Sequence, residues 1–522
     1  GDQRVQLFVM EVPEADSEPF VQARGRAKAA EAEPGSESPS GIPEARQLTT
    51  GGVDHSLPSF SADSKSIYTV SQFDPAAVDT LGARAVRTPV DGQGPGEAID
   101  LGVRDAASVQ AVREAPDSSG LFVFASTLGE SGTDFVGQST HLFWHAFADG
   151  STTRVSADED DFGEAPGTLR VDAEGRALVL GRHRGAVRLV AFRGEGSREV
   201  LAEGDYVATG VDGSHSAVVL TMTDGTTPGD LAVVRAGRIE RLTDFASSLR
   251  EAAAPAVPRE LIGQSADGTP VHGWVVLPEG EGPHPVLLNI HGGPFAQYSG
   301  AWFDEAQVYA AAGYAVVMCN PRGSAGYGDA HARAIKGRMG TVDLEDVLGF
   351  LDSALAAMPE LDPDRLGIMG GSYGGYLTAW TIAHDHRFRA AIVERGFLDP
   401  VSFVGSSDIG WFFPGEYNGW EPAAMQAQSP MARVEDVATP TLVKHSEEDW
   451  RCPIEQAQRY YAALKLRGID TELLVFPGEN HELSRSGTPH HRKQRFEHIL
   501  RWWARHLPTD ANPAREAEGA DS

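Results

Sequence analysis

The chain has only two cysteines, Cys319 and Cys452, in 522 residues. They could close one bridge at most and cannot supply a four-ligand zinc site, so a disulfide scaffold is excluded and a reducing cytoplasm is the expected compartment. No window approaches 18 consecutive apolar residues, and the first thirty residues lack a basic, then apolar, then small-residue order. Neither a membrane span nor a signal peptide is therefore read. Basic residues are also short: 44 Lys and Arg stand against 74 Asp and Glu, a formal charge of −30. The acidic excess is spread over both halves, which leaves no basic face for nucleic acid and reads as a solubility device. No His, Cys or carboxylate cluster has metal-ligand spacing. The Gly-rich stretch Arg322 to Gly328 lacks the Lys-Ser/Thr ending of a phosphate-binding loop, so no cofactor and no metal is inferred.

What is present is enough apolar residue, 41%, for folded cores, and a length that predicts two or three domains. Before about residue 250, short β-branched and aromatic runs such as Ser66 to Ser71, Gly120 to Ser126 and Val187 to Phe192 are separated by Gly, Asp and Ser turns, and this half reads as all-β. A phrase recurs in it. Arg46-Gln47-Leu48-Thr49 precedes Pro58-Ser59-Phe60-Ser61-Ala62-Asp63 and a strand, with echoes at Val171 to Gly175 and Arg241-Leu242-Thr243. Units near the roughly 45-residue size of propeller blades are implied, with an irregular β-sandwich as the alternative. Residues 13–44, rich in Glu, Ala, Ser, Pro and Gly, read as a mobile loop; without them there is room for roughly five blades. That count, with a start at Gly1 almost directly in the strand-like run Val5 to Val12, reads as an incomplete propeller-like domain over 1–250.

After residue 258 the pattern changes to strand, helix, strand. Strands are expected at Val271 to Leu277, Pro285 to Ile290, Ala315 to Cys319, Arg365 to Met369, Thr441 to His445 and Thr471 to Phe476. Helices are expected from Thr341, as N-cap, to Met358, over Ile454 to Arg467, and over His491 to His506. Such alternation implies an α/β domain over 258–508, a mostly parallel sheet with helices on both faces; residues 509–522 read as a disordered acidic tail.

The chemistry sits at the ends of these strands. Gly370-Gly371-Ser372-Tyr373-Gly374 fits G-x-S-x-G between a strand and a helix, the setting in which a sharp turn lifts a serine oxygen out of the sheet. A serine needs a base and an orienting acid, which in this fold follow it in chain order. Asp449 lies just beyond strand Thr441 to His445, with Glu447 and Glu448 as rivals, and His481 lies just beyond Thr471 to Phe476. Asp449 would hold and charge-stabilise His481, raising its pKa. His291-Gly292-Gly293-Pro294 follows Pro285 to Ile290, where a loop must offer a backbone N–H to an oxyanion. Gly293 and Tyr373 are the expected donors.

With these residues in view, the sequence resembles the prolyl oligopeptidase family of serine peptidases, in its acylaminoacyl-peptidase and dipeptidyl-aminopeptidase-like branch. The resemblance rests on Asn289 to Pro294, Asn320 to Gly328, Gly371 to Tyr376, Asp449 to Pro453 and Asn480 to Arg485, in order across 258–508. It implies an α/β-hydrolase domain capped by a seven-bladed propeller, for which the chain has too few residues. Ser446, after His445, stands where the family usually has Gly, and a small local change is expected. Ser406 to Phe413 resembles the segment lining the pocket beside the scissile bond. Trp411, Phe412 and Phe413 are thus candidate pocket residues, although an aromatic run is as often core.

The function expected is a serine peptidase acting on short peptides or N-acylated amino acids. A carboxylesterase or amidase on small acyl substrates is the alternative, and an idle propeller scaffold a third reading. Carboxylates that could recognise a free amine are Glu394 and Asp408. The oligomeric state stays open, a homo-oligomer included.

Overall fold

The computed structural model describes residues 4–12, 45–72, 79–103, 107–214, 217–235 and 237–513. The loop expected over 13–44 and residues 514–522 of the expected tail lie outside these. Residues 509–513, counted in that tail, are instead tied to the domain: Thr509 Oγ1 donates to Ala312 O (2.6 Å) and Asn512 Nδ2 donates to Leu500 O (2.8 Å).

The N-terminal half is all-β. Two antiparallel four-stranded sheets over residues 56–98 and 108–154 are followed by one eight-stranded sheet, whose antiparallel halves over 170–202 and 207–241 are joined by a parallel pairing of Val187 with Val207; a two-stranded sheet of Phe8–Val9 and Arg46–Gln47 lies beside them. The recurring phrase marks the first hairpin of a unit. Ser61 to Ser66 turns strand Ser56–Phe60 into Ser66–Ser71, and Asp172 caps the turn into Ala177–His183 by accepting from the N–H of Glu174 and Arg176. Asp117 does the same before Gly120–Ser126, where it accepts from Ser119 N. That Pro116-Asp117 echo is present in the sequence but was too short to be read there.

The C-terminal half carries an eight-stranded sheet. Its strands are β1 (Arg259–Gln264), β2 (Pro270–Val276), β3 (His284–Ile290), β4 (Ala315–Asn320), β5 (Leu361–Gly371), β6 (Ala390–Glu394), β7 (Thr441–Ser446) and β8 (Thr471–Phe476). The spatial order is β1-β2-β4-β3-β5-β6-β7-β8, parallel from β4 onward, with β2 antiparallel to β1 and β4. The helices that position the site are α1 (Asp304–Ala311), α2 (Val342–Ala357), α3 (Tyr373–His384), α4 (Ile454–Leu466) and α5 (Pro489–His506). Strands β4 and β7 are buried at every residue, as helices on both faces require. One core lies between the sheet and α2, α3 and α4, and the other, centred on Trp502 and Trp503, lies under α1 and α5. Thr341 stands at the N-cap of α2 as expected, but its hydroxyl donates back to Arg338 O (2.7 Å) instead of accepting from the helix.

The two halves touch at the C-terminal edge of this sheet. Asp134 pairs with Arg333 (2.9 Å) and Lys336 (2.6 Å), Lys336 also pairs with Glu416 (3.2 Å), and Phe135 packs edge-on against Phe412. Gly185 N donates to Gln297 Oε1 (3.1 Å), and Arg184 N to Gly326 O (2.9 Å). Blade hairpins therefore rest on the loops that follow β3 and β4.

Candidate active site

Strand β5 ends at Gly371, and Ser372 turns the chain into α3 at φ 63, ψ −119. A side-chain-bearing residue at such a positive φ costs on the order of 1–3 kcal/mol, and it persists only where the surroundings enforce it. Here they do. Ser372 N donates to Glu394 O (3.0 Å), and a Cβ on Gly374 would come within 2.1 Å of Ile290 O, so only glycine lets α3 start this close to β3.

Ser372 Oγ donates to His481 Nε2 (3.1 Å), and His481 Nδ1 donates to Asp449 Oδ2 (2.8 Å). The three residues come from the ends of β5, β8 and β7, and they form one hydrogen-bonded chain. The second Asp449 oxygen accepts from Cys452 N (2.9 Å), so the carboxylate, itself 4% exposed, is held from both sides. Glu447 and Glu448 point to solvent, and Glu447 accepts from Gly478 N (3.0 Å) instead. The expected rise of the His481 pKa is corrected by the structure. Burial lowers it, more than the Asp449 partner raises it, and the charges of Arg395 and Arg485 lower it further.

Where Ser446 replaces glycine, the preceding His445 is buried and donates through Nε2 to Cys452 O (2.6 Å), with Asp449 Oδ2 3.5 Å away. His445 therefore braces the turn that carries the acid. The signal for it was its place immediately before that turn. Both cysteines are free and buried, and burial pushes each thiol's pKa up.

The loop after β3 lies against the elbow: a Cβ on Gly292 would be 3.5 Å from Ser372 Cβ. Gly293, at φ 122, adopts a backbone open to glycine. His291 anchors this loop, donating from Nδ1 to Gly292 O (2.6 Å) and accepting at Nε2 from Ser324 Oγ (2.9 Å). Burial drives its pKa down to about 4 and keeps it neutral. The Asn320 to Gly328 segment is thus a brace. Arg322 is locked to buried Asp346 (2.6 Å), Asn320 bonds both backbone groups of Tyr298, and Ala325 N reaches Ala296 O (3.0 Å).

The aromatic segment is divided. Phe413 packs with Phe397, Phe403, Tyr417 and Phe135 as part of the core, while Trp411, 41% exposed, lies edge-on to Phe412. The segment is tied to the acid turn through Ser407 Oγ to Arg451 O (2.7 Å) and the Asp408–Arg451 pair (2.9 Å). Neither carboxylate suggested for amine recognition is free: Asp408 is in that pair, and Glu394 is held by Arg495 and Lys444 (both 2.8 Å). Among the described residues no group of three or more His, Cys, Asp or Glu could hold a metal, and no helix is long and apolar enough to cross a membrane.

Residues 301–510 match the model of the prolyl oligopeptidase family. The uncharacterized peptidase YuxL of Bacillus subtilis is 38% identical over 341 residues, 63% of this chain and 52% of that protein. The acylamino-acid-releasing enzyme of Arabidopsis thaliana is 33% identical over 232 residues, 42% of this chain and 30% of that protein. The chain spans between about a third and a half of the length of these curated relatives. Among solved structures, the Pyrococcus horikoshii acylaminoacyl peptidase superposes with a TM-score of 0.76 over 92% of this chain and 73% of that one, at 24% identity, a likeness of fold.

Proposed function

We propose that this chain, whose residues 301–510 match the model of the prolyl oligopeptidase family, is a serine peptidase that cleaves short peptides or N-acylated amino acids by way of an acyl-enzyme. The observation that carries the reading is the continuous hydrogen-bond chain Ser372, His481, Asp449 on a strained elbow. In this mechanism His481 Nε2 takes the Ser372 proton as Oγ bonds to the carbonyl carbon. Asp449 keeps the imidazole in the tautomer whose Nε2 is free and stabilises the imidazolium. The N–H groups of Gly293 and Tyr373 receive the oxyanion, each such donor being worth about a hundred- to a thousandfold in turnover. The imidazolium then protonates the departing nitrogen, and water, activated by the same histidine, releases the acyl group. Trp411 is the candidate contact for the acyl-side residue. The free buried thiols of Cys319 and Cys452 support a reducing, cytoplasmic setting.

The test is turnover of an N-acyl-amino-acid anilide beside the matching ester, with fluorophosphonate labelling mapped by mass spectrometry. Hydrolysis of both, with the label on Ser372, is expected. Ester hydrolysis alone would make the chain an esterase, and absence of both activities with no label would make it a scaffold.

A further inference from the structure

A cavity of about 520 Å³ opens beside the elbow, and the reaction as described makes no use of it. Gly292 and Gly371 form one end, and Ser484 and Arg485, which follow His481 in the chain, form a side. Trp302, Phe303 and Phe496 give it apolar walls. Four arginines reach it, and their partners differ. Arg495 is saturated by Glu394 and Glu305 (both 2.8 Å), and Arg485 is paired with Glu482. Arg492 has no ion pair among the described residues, whereas Arg395 is the exceptional one. It is 7% exposed, spends one nitrogen on Ser484 Oγ (3.1 Å), and leaves Nε and Nη1 without a hydrogen-bond partner. Glu394 Oε1 stands 3.6 Å from Arg395 Nε, beyond hydrogen-bond distance, because its carboxylate is turned to Arg495 and Lys444. A buried guanidinium with unspent donors is costly unless an anion or other acceptor completes it.

Resting on the peptidase reading, we propose that this cavity binds the free C-terminal carboxylate of the leaving half of the substrate, at Arg395 and Arg492, so that the enzyme favours peptides ending one or two residues beyond the scissile bond. The side follows from the proton path. His481 delivers its proton to the leaving nitrogen, and the cavity is lined by the residues that follow His481, while the 411–413 segment takes no part in it. An amine ligand is disfavoured, because Glu305 and Glu394 already hold Arg495 and Asp304 accepts from Trp302 Nε1. Planar guanidinium groups suit a carboxylate, and the apolar walls suit the side chain next to it.

The test uses the full chain and three blocked peptides alike except at the end: a free acid after one apolar leaving residue, its C-terminal amide, and the amide with Glu as the leaving residue. The acid should show kcat/KM at least about tenfold above the apolar amide, and Arg492→Gln should bring that ratio close to one. Calorimetric titration of Ser372→Ala with glycyl-leucine should be saturable, and the same dipeptide amide should not bind. Equal kcat/KM for acid and amide would overturn the proposal, and so would preference for the Glu amide, which would give the site to a side-chain carboxylate. If no peptide is cleaved while glycyl-leucine binds and its amide does not, the peptidase reading fails and the carboxylate site stands. If neither dipeptide binds, the site falls.

Discussion

The two halves bury their strands for different reasons, and the hydrogen-bonded chain of Ser372, His481 and Asp449 stands in the half whose strands are covered on both faces. In the C-terminal half, strands such as β4 and β7 are covered on both faces, so the one place where side chains can meet water and one another is the edge where the parallel strands end. Ser372, Asp449 and His481 all stand just beyond that edge. A four-stranded antiparallel unit of the N-terminal half has no such shared edge. Its ion pairs close hairpins, as Arg176 does with Asp172, or tie one segment to the next, as Arg198 does with Asp160. Charge is likewise handled differently: Glu394, Lys444 and Arg495 form a buried network behind the elbow, and Lys444 is pushed down to about 7 by burial. The lesson is that convergence of strand ends makes a site, while the blade hairpins reach only the loops beside it, as Gly185 does at Gln297 and Phe135 at Phe412.

The sharpest way to break this contrast is to remove the serine. Ser372→Ala should cost about 10⁴-fold or more in kcat/KM with little change in Tm, and His481→Ala should add almost nothing to it, since the pair acts as a unit. Additive losses measured in a double-mutant cycle would refute the shared role. Next in size is Phe413→Ala. If this residue is core, as its contacts with Phe397, Phe403 and Tyr417 imply, urea unfolding should show a loss of about 3 kcal/mol.

The contrast also accounts for what the sequence disclosed. Short strands rich in β-branched and aliphatic residues stand out between helices, and Ala315 to Cys319, Thr441 to His445 and Thr471 to Phe476 were placed to within a residue. A residue that begins a turn after such a run stands out, which is why the elbow, the acid turn and the histidine turn were legible. Strands of mixed burial, such as Val207–Gly213 and Arg198–Ala202, carry no comparable signal and were missed. So was helix α1, whose apolar residues do not gather on one stripe. Arg395 was invisible for another reason. Its meaning depends on Gly371, Ser484 and Glu394 meeting across three chain segments, and no local pattern announces that.

Acid should act on the site through two histidines. Because burial lowers the His481 pKa, the neutral base survives below pH 6.5, and the acid limb of kcat/KM should have its midpoint below about 6.5. Asp449→Asn, which removes a raising influence, should shift that midpoint lower still; a midpoint above 7 would contradict the burial argument. His291 gives the matching stability effect. Its folded pKa, about 4, lies below its unfolded value, so the unfolded state binds more protons between 6.5 and 4, and stability is lost as pH falls through that window. The loss attributable to His291 should approach about 3 kcal/mol by pH 4, visible as a steeper acid Tm decline than in His291→Gln.

At the boundary between the halves, Asp134→Ala should cost about 1 kcal/mol, because Arg333 and Lys336 lose a carboxylate while their side chains are 31% and 30% exposed and Lys336 keeps Glu416. Calorimetry should then resolve two transitions in place of closely coupled ones, and an unchanged single transition would mean that the remaining contacts, Phe135 on Phe412 and the hydrogen bonds of Arg184 and Gly185, hold the halves together.

The smallest effect bears on how the aromatic segment divides between core and substrate. Trp411 is 41% exposed and touches Phe412 edge-on, so truncation removes little buried surface. Trp411→Ala should change stability by less than about 0.5 kcal/mol, against the loss expected at Phe413. Its effect should fall instead on substrates with a large apolar residue on the acyl side, as a rise in KM of about threefold to tenfold with kcat nearly unchanged. Glycine at that position should be indifferent to the substitution. If Trp411→Ala lowers Tm as much as Phe413→Ala, the segment is core throughout and the acyl-side contact must be sought elsewhere. If KM rises equally for glycine and apolar substrates, Trp411 positions the acid turn through Asp408 and Arg451 and does not select side chains.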